Sequence, residues 1–423
     1  MLLIHTPKTT SRLDYAFKHI CTRILGVKVQ FASVIEEFIA HQGPKISYGK
    51  QPMGNEVFVQ AHGLLTEQGF EDIDIAVQPW DGSVCFFPVR EKSVLPFDIF
   101  SAAFYLLSRY EEYIPHLKDD MARFPAEESL AFKEGFLQQP VIDIWAYRFK
   151  TILLEHFPEM EFPKREFQLH HMVEAVQPFA YAQRGFLRNF TGFLRDFGRF
   201  RIKDVFNRCR VLLKLRKDPF NTFTWMMNAG RKGNSKLSVF FLLGEGFSFK
   251  EDINSKRKRY KGLVKHVGDY TEVGLIFSYH SLGDEERLKQ EKRQMEELTH
   301  RPLKSSMNDK LLVNLPHNYR NLLELEVAKD MTMVYENELG FRAGTCTPFL
   351  FYDLDYEIKT PLIIYPLAGK TSAFTSETDG EIESQLYKIR DAVKEVNGTL
   401  SLLFTNCDFK ADQAFWKRFF SEN

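Results

Sequence analysis

His170, His171 and Glu174 share one five-residue window of "LHHMVEA", and Cys407 and Asp408 follow the apolar run "TLSLLF" near the end of the chain. Imidazoles and carboxylates are donors that a divalent cation accepts, so one of these histidines with Glu174 and Asp408 makes a candidate metal site. Neighbouring residues on a strand point to opposite faces, so only one of the two histidines can join it. The alternative is that both are hydrogen-bonded histidines at a strand edge. Cys346 and Cys407 suggest a thiol nucleophile, but no histidine lies near either in sequence. A third group, Arg109, Glu111 and Glu112, ends the apolar run "PFDIFSAAFYLLSRYEEYI". It reads either as a solvated helix end with internal ion pairs or as a guanidinium and carboxylate projecting into a cleft between domains.

These residues need regular elements to hold them, and the hydrophobic pattern supplies candidates. After Phe167, the runs "SVFFLL" (238–243), "YTEVGLIF" (270–277), "PLIIY" (361–365) and "TLSLLF" (399–404) alternate with helical stretches such as "DEERLKQEKRQMEELTHR" and "NYRNLLELEVAKDM". Such alternation predicts parallel strands with crossover helices, so residues 165–423 form a barrel or doubly wound sheet of the α/β class. Residues 1–160 read as a separate α/β domain. Its strands are "LLIHT" and "EVFVQA", with "SVCFFPV" behind the turn "WDGS". Its helices are "RLDYAFKHICTRILG" and one carrying Phe100, Ala103, Phe104 and Leu107 on one face. "PVIDIW" (140–145) closes that domain, and "HFPEMEFPKREF", punctuated by Pro158 and Pro163, is the linker.

The segment 184–217 stands apart. It holds eleven Lys or Arg against two Asp, with Phe and Leu interleaved, including Phe186, Phe190, Phe193, Leu194 and Phe197. It reads as one or two basic amphipathic helices outside the barrel. Two uses are open: lying on an anionic membrane, or packing on the barrel with wet or paired arginines.

Bulk properties narrow the class. The 423 residues are 44% apolar, enough for sizeable cores, and 56 Lys plus Arg balance 56 Asp plus Glu. No global charge therefore points to nucleic acid as the partner. Five scattered cysteines form neither a disulfide framework nor a metal knuckle, which favours a reducing compartment. The opening "MLLIHTPKTTSR" lacks a signal-peptide core, and no run approaches the roughly 20 apolar residues of a membrane span. The expectation is a soluble, cytoplasmic protein.

Several stretches carry a family resemblance. "FDIFSAAFYLLSRYEEY", "PVIDIWA", "YAQRGFLRNFTGFLRDF", "DPFNTFTW", "VGLIFSY", "ERLKQEKRQMEELTHRPL" and "GFRAGTCTPFLFYDL" together resemble Bacteroidota polysaccharide deacetylase-like proteins with a group-specific N-terminal domain. The resemblance implies that the second half is a distorted (β/α) barrel of carbohydrate esterase family four, with catalytic side chains at the C-terminal ends of strands. That chemistry uses two aspartates, histidines that complete a divalent metal site, and a late histidine as general acid. The metal, such as zinc, lowers the pKa of its bound water from about 15.7 towards 7.

In register with that family, the first aspartate position is Glu174 and the second Val176, with Met172 in place of a threonine. Ile276 and Phe277 replace a His-Pro pair, and Ser306, Met307 and Asn308 replace Arg, Gln and His. Tyr365 stands for a histidine before Pro366, and Thr405 for the acid histidine. Met121 and Ala122 likewise replace a His-Gly pair of the N-terminal domain. Arg342 and Pro348, in the loop "RAGTCTP", keep their types. They join Glu174, Arg109 and Glu111 as candidate binding residues, and Glu174 is expected to pair with Arg342. The resemblance thus leads to a non-catalytic homologue with no cofactor, which binds a glycan or regulates an active paralogue in envelope polysaccharide metabolism. Two alternatives stand beside it: a deacetylase with a remodelled site, and a membrane-surface scaffold acting through 184–217.

Overall fold

The computed structural model describes the chain except residues 91, 183–185, 234, 249–253, 375–376, 412 and 423, and the side chains of 186–188 and 422. The chain is of mixed α/β class with two main sheets. The first is parallel, with β1 (Leu2–His5), β2 (Val29–Ala32), β3 (Lys45–Gly49) and β4 (Val57–Gln60) in the order β2-β1-β3-β4. Its central strand "LLIH" is buried throughout, as a strand covered on both faces requires. The helix Ser11–Phe17 starts at Thr10, whose hydroxyl accepts from the Leu13 amide, and the chain continues as a π-helix to Ile24.

A small hairpin pairs β5 (Gln78–Trp80) with β6 (Ser83–Cys85). Asp81 and Gly82 both take positive φ, 46° and 76°, the geometry that makes Asp-Gly a tight hairpin turn. "SVCFFPV" is therefore a strand only as far as Cys85. Phe87 turns left-handed at φ 64°, and Pro88 has no amide to continue a ladder. The helix Ile99–Leu107 is capped by Asp98, which accepts from the amides of Phe100 and Ser101. It is buried on every side rather than on one face. The helix Val141–His156 follows.

The second sheet is the barrel. β7 (Gln168–Ala175), β8 (Lys236–Leu242), β9 (Glu272–Phe277), β10 (Ser305–Asn308) and β11 (Lys329–Asp330) run parallel in sequence order. β12 (Phe349–Asp353) is an antiparallel outer strand on β13 (Ile358–Ile364). β14 (Gly369–Lys370) and β15 (Thr399–Thr405) lie parallel to one another, and β15 pairs with β7 along its whole length. β13 and β14 belong to one run that closes the ring. Tyr365 N donates to Asp330 O at 2.9 Å on one side, and Ala368 N to Ser401 O at 2.8 Å on the other. The barrel thus has seven staves. "NYRNLLELEVAKDM" is helix only at His317–Glu324. Glu326 turns left-handed (φ 54°), and the remainder becomes β11.

Alternation along the staves separates two cores. Met172, Phe240, Ile276 and Leu403 form an inner cluster. Their neighbours Val173, Phe241, Leu275, Phe277 and Phe404 join an outer cluster that also includes Leu2, Phe100 and Trp145 of the first 160 residues. The outer core therefore runs without a break from the small sheet to the barrel's helical layer. Gly274 shows how tight the interior is. A Cβ there would stand 2.4 Å from the Phe240 ring and 2.7 Å from the Ser305 carbonyl.

His171 belongs to the outer side, stacked 4.3 Å from Phe420. Among the described residues neither of its ring nitrogens has a hydrogen-bond partner, which corrects the expectation of a satisfied histidine. Burial lowers its pKa to about 3 from the ordinary 6.5. Between those values the unfolded chain binds a proton that the folded chain refuses, so stability falls as pH falls through 6.5 towards 3. His171→Phe keeps the stacking and removes the proton. Denaturant unfolding at neutral pH and near pH 4 should show the variant losing roughly 3 kcal/mol less than the parent.

Candidate functional site

Inward side chains of the barrel form three layers. The floor, at the N-terminal ends of the staves, is polar. His170 Nε2 lies 2.9 Å from Ser238 Oγ, which donates to Glu272 at 3.2 Å. Ser305 Oγ and Lys329 Nζ donate to the same carboxylate at 2.6 and 3.1 Å. Burial lowers the His170 pKa to about 4 and keeps the ring neutral. Burial alone would raise Glu272, but the bonds from Ser305 and Lys329 outweigh it and hold the carboxylate below its usual range. Ser238, His170 and Glu272 are the residue types of a hydrolase triad in the wrong order. The single hydroxyl proton goes to Glu272, so the imidazole is left donating to serine instead of accepting from it.

The middle layer is apolar. Met172, Phe240, Ile276, Met307, Met331, Leu367 and Leu403, one from each stave, are at most 1% exposed. Val176 and Tyr365, partly buried, pack against this layer.

The mouth, at the C-terminal ends, mixes charge with apolar cover from Leu242, Leu311 and Val334. Glu174 is bound to Lys370, with Nζ 2.9 Å from its carboxylate, and Glu336 lies 3.6 Å from the same ammonium. Arg123 closes on Glu336 from the N-terminal part of the chain. Burial alone would lower the Lys370 pKa, but Glu174 and Glu336 together raise it, so the ammonium stays charged. Thr405 caps the following turn. Its amide and hydroxyl both donate to Asp408 at 2.8 Å, and Thr371 Oγ1 donates there too at 2.7 Å.

Hydrolysis assisted by a divalent cation needs three or four N, O or S donors around one point. Among the described residues no group of three His, Cys, Asp or Glu converges. At the expected position stand one carboxylate already bonded to an ammonium, two aliphatic chains and two hydroxyl-bearing side chains. The residues present do not fit the divalent metal that the sequence resemblance implies.

A rebuilt site from His170, Glu174 and Asp408 is not assembled either. His170 lies four residues down β7 from Glu174, about 13 Å away along the strand, with the apolar layer between. His171 faces out, and Asp408 is taken up by Thr371 and Thr405. Cys346 is buried, and burial first, then the Asp143 carboxylate, pushes its thiol well above the ordinary value. Thiolate chemistry is thereby suppressed.

Arg342 does not reach Glu174, which corrects that expected pair. Its guanidinium donates to both oxygens of Glu112, at 2.9 and 2.7 Å. Arg109 donates to Glu112 at 2.8 Å and to Glu111 at 2.7 Å. All four are buried, so the end of the helix Ile99–Leu107 is not solvated. The rest of "RAGTCTP" is tied to Asp143, which accepts from Thr345 Oγ1 at 2.6 Å and from the Cys346 amide at 3.0 Å. The loop fastens the first 160 residues to the barrel, and Pro348 sits half-buried at its end. Lys370, Asp143 and Glu336 were not singled out from sequence. Lys370 follows "YPLAG" without any motif, and only the ring closure places it opposite Glu174.

A narrow cavity of about 130 Å³ lies beside the mouth, lined by Asp119, Arg123, Tyr335, Glu336, Asn337, Glu338 and Arg342 among others. Among the described residues the Tyr335 hydroxyl has no hydrogen-bond partner.

Residues 2–158 match the model of DUF7033, a family of unknown function. The chain is similar to a crystal structure from Mycobacterium smegmatis described as that of a polysaccharide deacetylase. That similarity has 12% identity, covers 62% of this chain and 86% of that one, and has a TM-score of 0.40. A search of curated proteins finds no match.

Lys370→Met tests the mouth directly. It leaves Glu174 and Glu336 sharing a largely buried space without their cation. We expect a loss of about 3 kcal/mol in denaturant unfolding, largely recovered by combining it with Glu174→Gln.

Proposed function

We propose that this chain is a non-catalytic relative of the polysaccharide deacetylases, whose barrel binds a glycan or regulates an active paralogue in envelope polysaccharide metabolism. In this reading residues 1–160 and 165–423 are two domains that act together across the mouth. One observation carries the proposal. Where the family's reaction needs converging donors, the barrel has a dry layer of seven apolar side chains beneath a Glu174–Lys370 ion pair.

The groups left to act are those of the mouth cavity. Asn337 and Glu338 present the amide and carboxylate groups that sugar hydroxyls and acetamido groups bond, beside the ion-paired Asp119, Arg123 and Glu336. At about 130 Å³ the cavity is small beside the roughly 300–1,000 Å³ of small-molecule sites. It suits one projecting substituent of a longer chain rather than a whole ligand. Arg109, Glu111 and Arg342 act as the rigid support behind it.

A remodelled deacetylase would have to use Glu174 alone as base. General-base catalysis by one carboxylate contributes only about 10²–10⁴-fold. Acetate release from N-acetylated oligosaccharides, with and without added Zn²⁺, Co²⁺ or Ni²⁺, separates the readings. The expected result is no release above the protein-free rate. Turnover abolished by Glu174→Ala would establish the remodelled enzyme instead.

A further inference from the structure

The segment after β7 leaves the barrel and returns on a fixed stem. Asp218 accepts from the amides of Ala180, Tyr181 and Ala182 at 2.7, 3.0 and 2.9 Å, which ties the outgoing strand to the returning one. Between them stand two helices, Phe186–Gly198 and Ile202–Leu212. Asp196 and Arg208 form a buried ion pair between these helices. Arg208 also lies 4.7 Å over the Tyr181 ring and passes so close to Gly192 that a Cβ there would meet it at 2.7 Å. The hairpin's inner faces are thus accounted for.

Its outer faces are largely exposed among the described residues. Nine of the twenty large exposed apolar side chains among the described residues fall between Phe190 and Leu215. Phe200 is 87% exposed, Ile202 and Leu213 are 69%, Phe197 is 65% and Phe206 is 61%. An apolar concentration of this kind marks an interaction surface. Around it Arg199, Arg201, Lys203, Arg210, Lys214 and Arg216 are exposed. Asp196 is already spent on Arg208, so Asp204 is the one acid left to oppose them in residues 189–217.

We propose that this hairpin docks the protein on an anionic lipid bilayer. Apolar side chains would enter the boundary between headgroups and acyl chains while the cations meet lipid phosphates. The helices have 13 and 11 residues, against about 20 for a membrane span, so they lie on the surface. A second copy of the chain would bring the same cations face to face, and a nucleic-acid duplex would leave the phenylalanines in water. Because the stem rises from the C-terminal end of β7, docking turns the barrel mouth towards the membrane. The inference is independent of whether the barrel catalyses.

Co-sedimentation of the full chain with phosphatidylcholine vesicles, and with equimolar phosphatidylcholine and phosphatidylglycerol, tests it. Binding is expected to the anionic vesicles only. Removing two cations by Arg199→Gln with Lys203→Gln should weaken it about 25-fold, since each basic group near the surface is worth roughly fivefold. Phe197→Ser with Phe206→Ser alters exposed positions and should weaken binding at least ~10-fold, with an unchanged thermal melt as the check on folding. No binding to anionic vesicles overturns the proposal, as does equal binding to both vesicle types. Binding that survives the phenylalanine substitutions also overturns it. A dimer that dissociates on those substitutions, without vesicle binding, assigns the face to a second copy and overturns it too.

Discussion

Seven staves close around an interior wide enough only for side chains, and this constraint governs the rest of the barrel. Every inward position is either a ligand for something at the mouth or filling for the layer below. Here the middle positions are filling. Phe240 reaches across because β9 offers Gly274 opposite it, and three methionines, Met172, Met307 and Met331, take up the irregular remainder. Such a layer is dry, so the groups above and below it must settle their polarity separately. The floor does so through Ser238, Ser305 and Lys329 around Glu272, and the mouth through Lys370 between two glutamates.

The attachment of the first 160 residues follows another rule. One carboxylate, Glu112, accepts from two guanidiniums at the junction. Burial would raise its pKa, and Arg342 and Arg109 more than reverse that. Such a cluster adds little net stability over apolar packing, because the desolvation of three charges offsets their attraction. It does fix geometry. A guanidinium bonded to both oxygens of a carboxylate admits one orientation, and this one sets the end of the helix Ile99–Leu107 against the "RAGTCTP" loop. With Asp143 holding the same loop, the N-terminal part is positioned to supply Asp119 and Arg123 to the mouth.

The sequence made the long apolar staves legible because both of their faces are buried, so inward and outward residues together make continuous hydrophobic runs, as in "SVFFLL" and "TLSLLF". β10 and β11 were not legible. Their residues, such as Ser305 and Lys329, feed the polar floor, and β11 is only two residues long. That Val176, just past β7, and Ile276 on β9 cannot ligate a cation could be read directly from their side chains. The partner of Glu174 could not, because Lys370 lies 196 positions away and meets it only when run 358–370 crosses from β11 to β15. Basic and apolar periodicity predicted helices in 184–217; residues 184 and 185 lie outside the described residues, and the helices found are Phe186–Gly198 and Ile202–Leu212. Which of its faces is covered depended on the Asp196–Arg208 contact. Phe190, Leu194 and Phe197 are on the exposed side, Phe193 is half-buried, and the side chain of Phe186 lies outside the described residues.

The central claim is that the carboxylates flanking Lys370 at the barrel mouth, Glu174 and Glu336, are already engaged by cations and, among the described residues, converge with no third donor for a divalent cation. Calorimetric titration of the metal-stripped chain with Zn²⁺, alongside Glu174→Ala, tests this most directly. The account predicts no saturable binding in the micromolar range and identical traces for parent and variant. A one-to-one zinc site that vanishes in Glu174→Ala would contradict it.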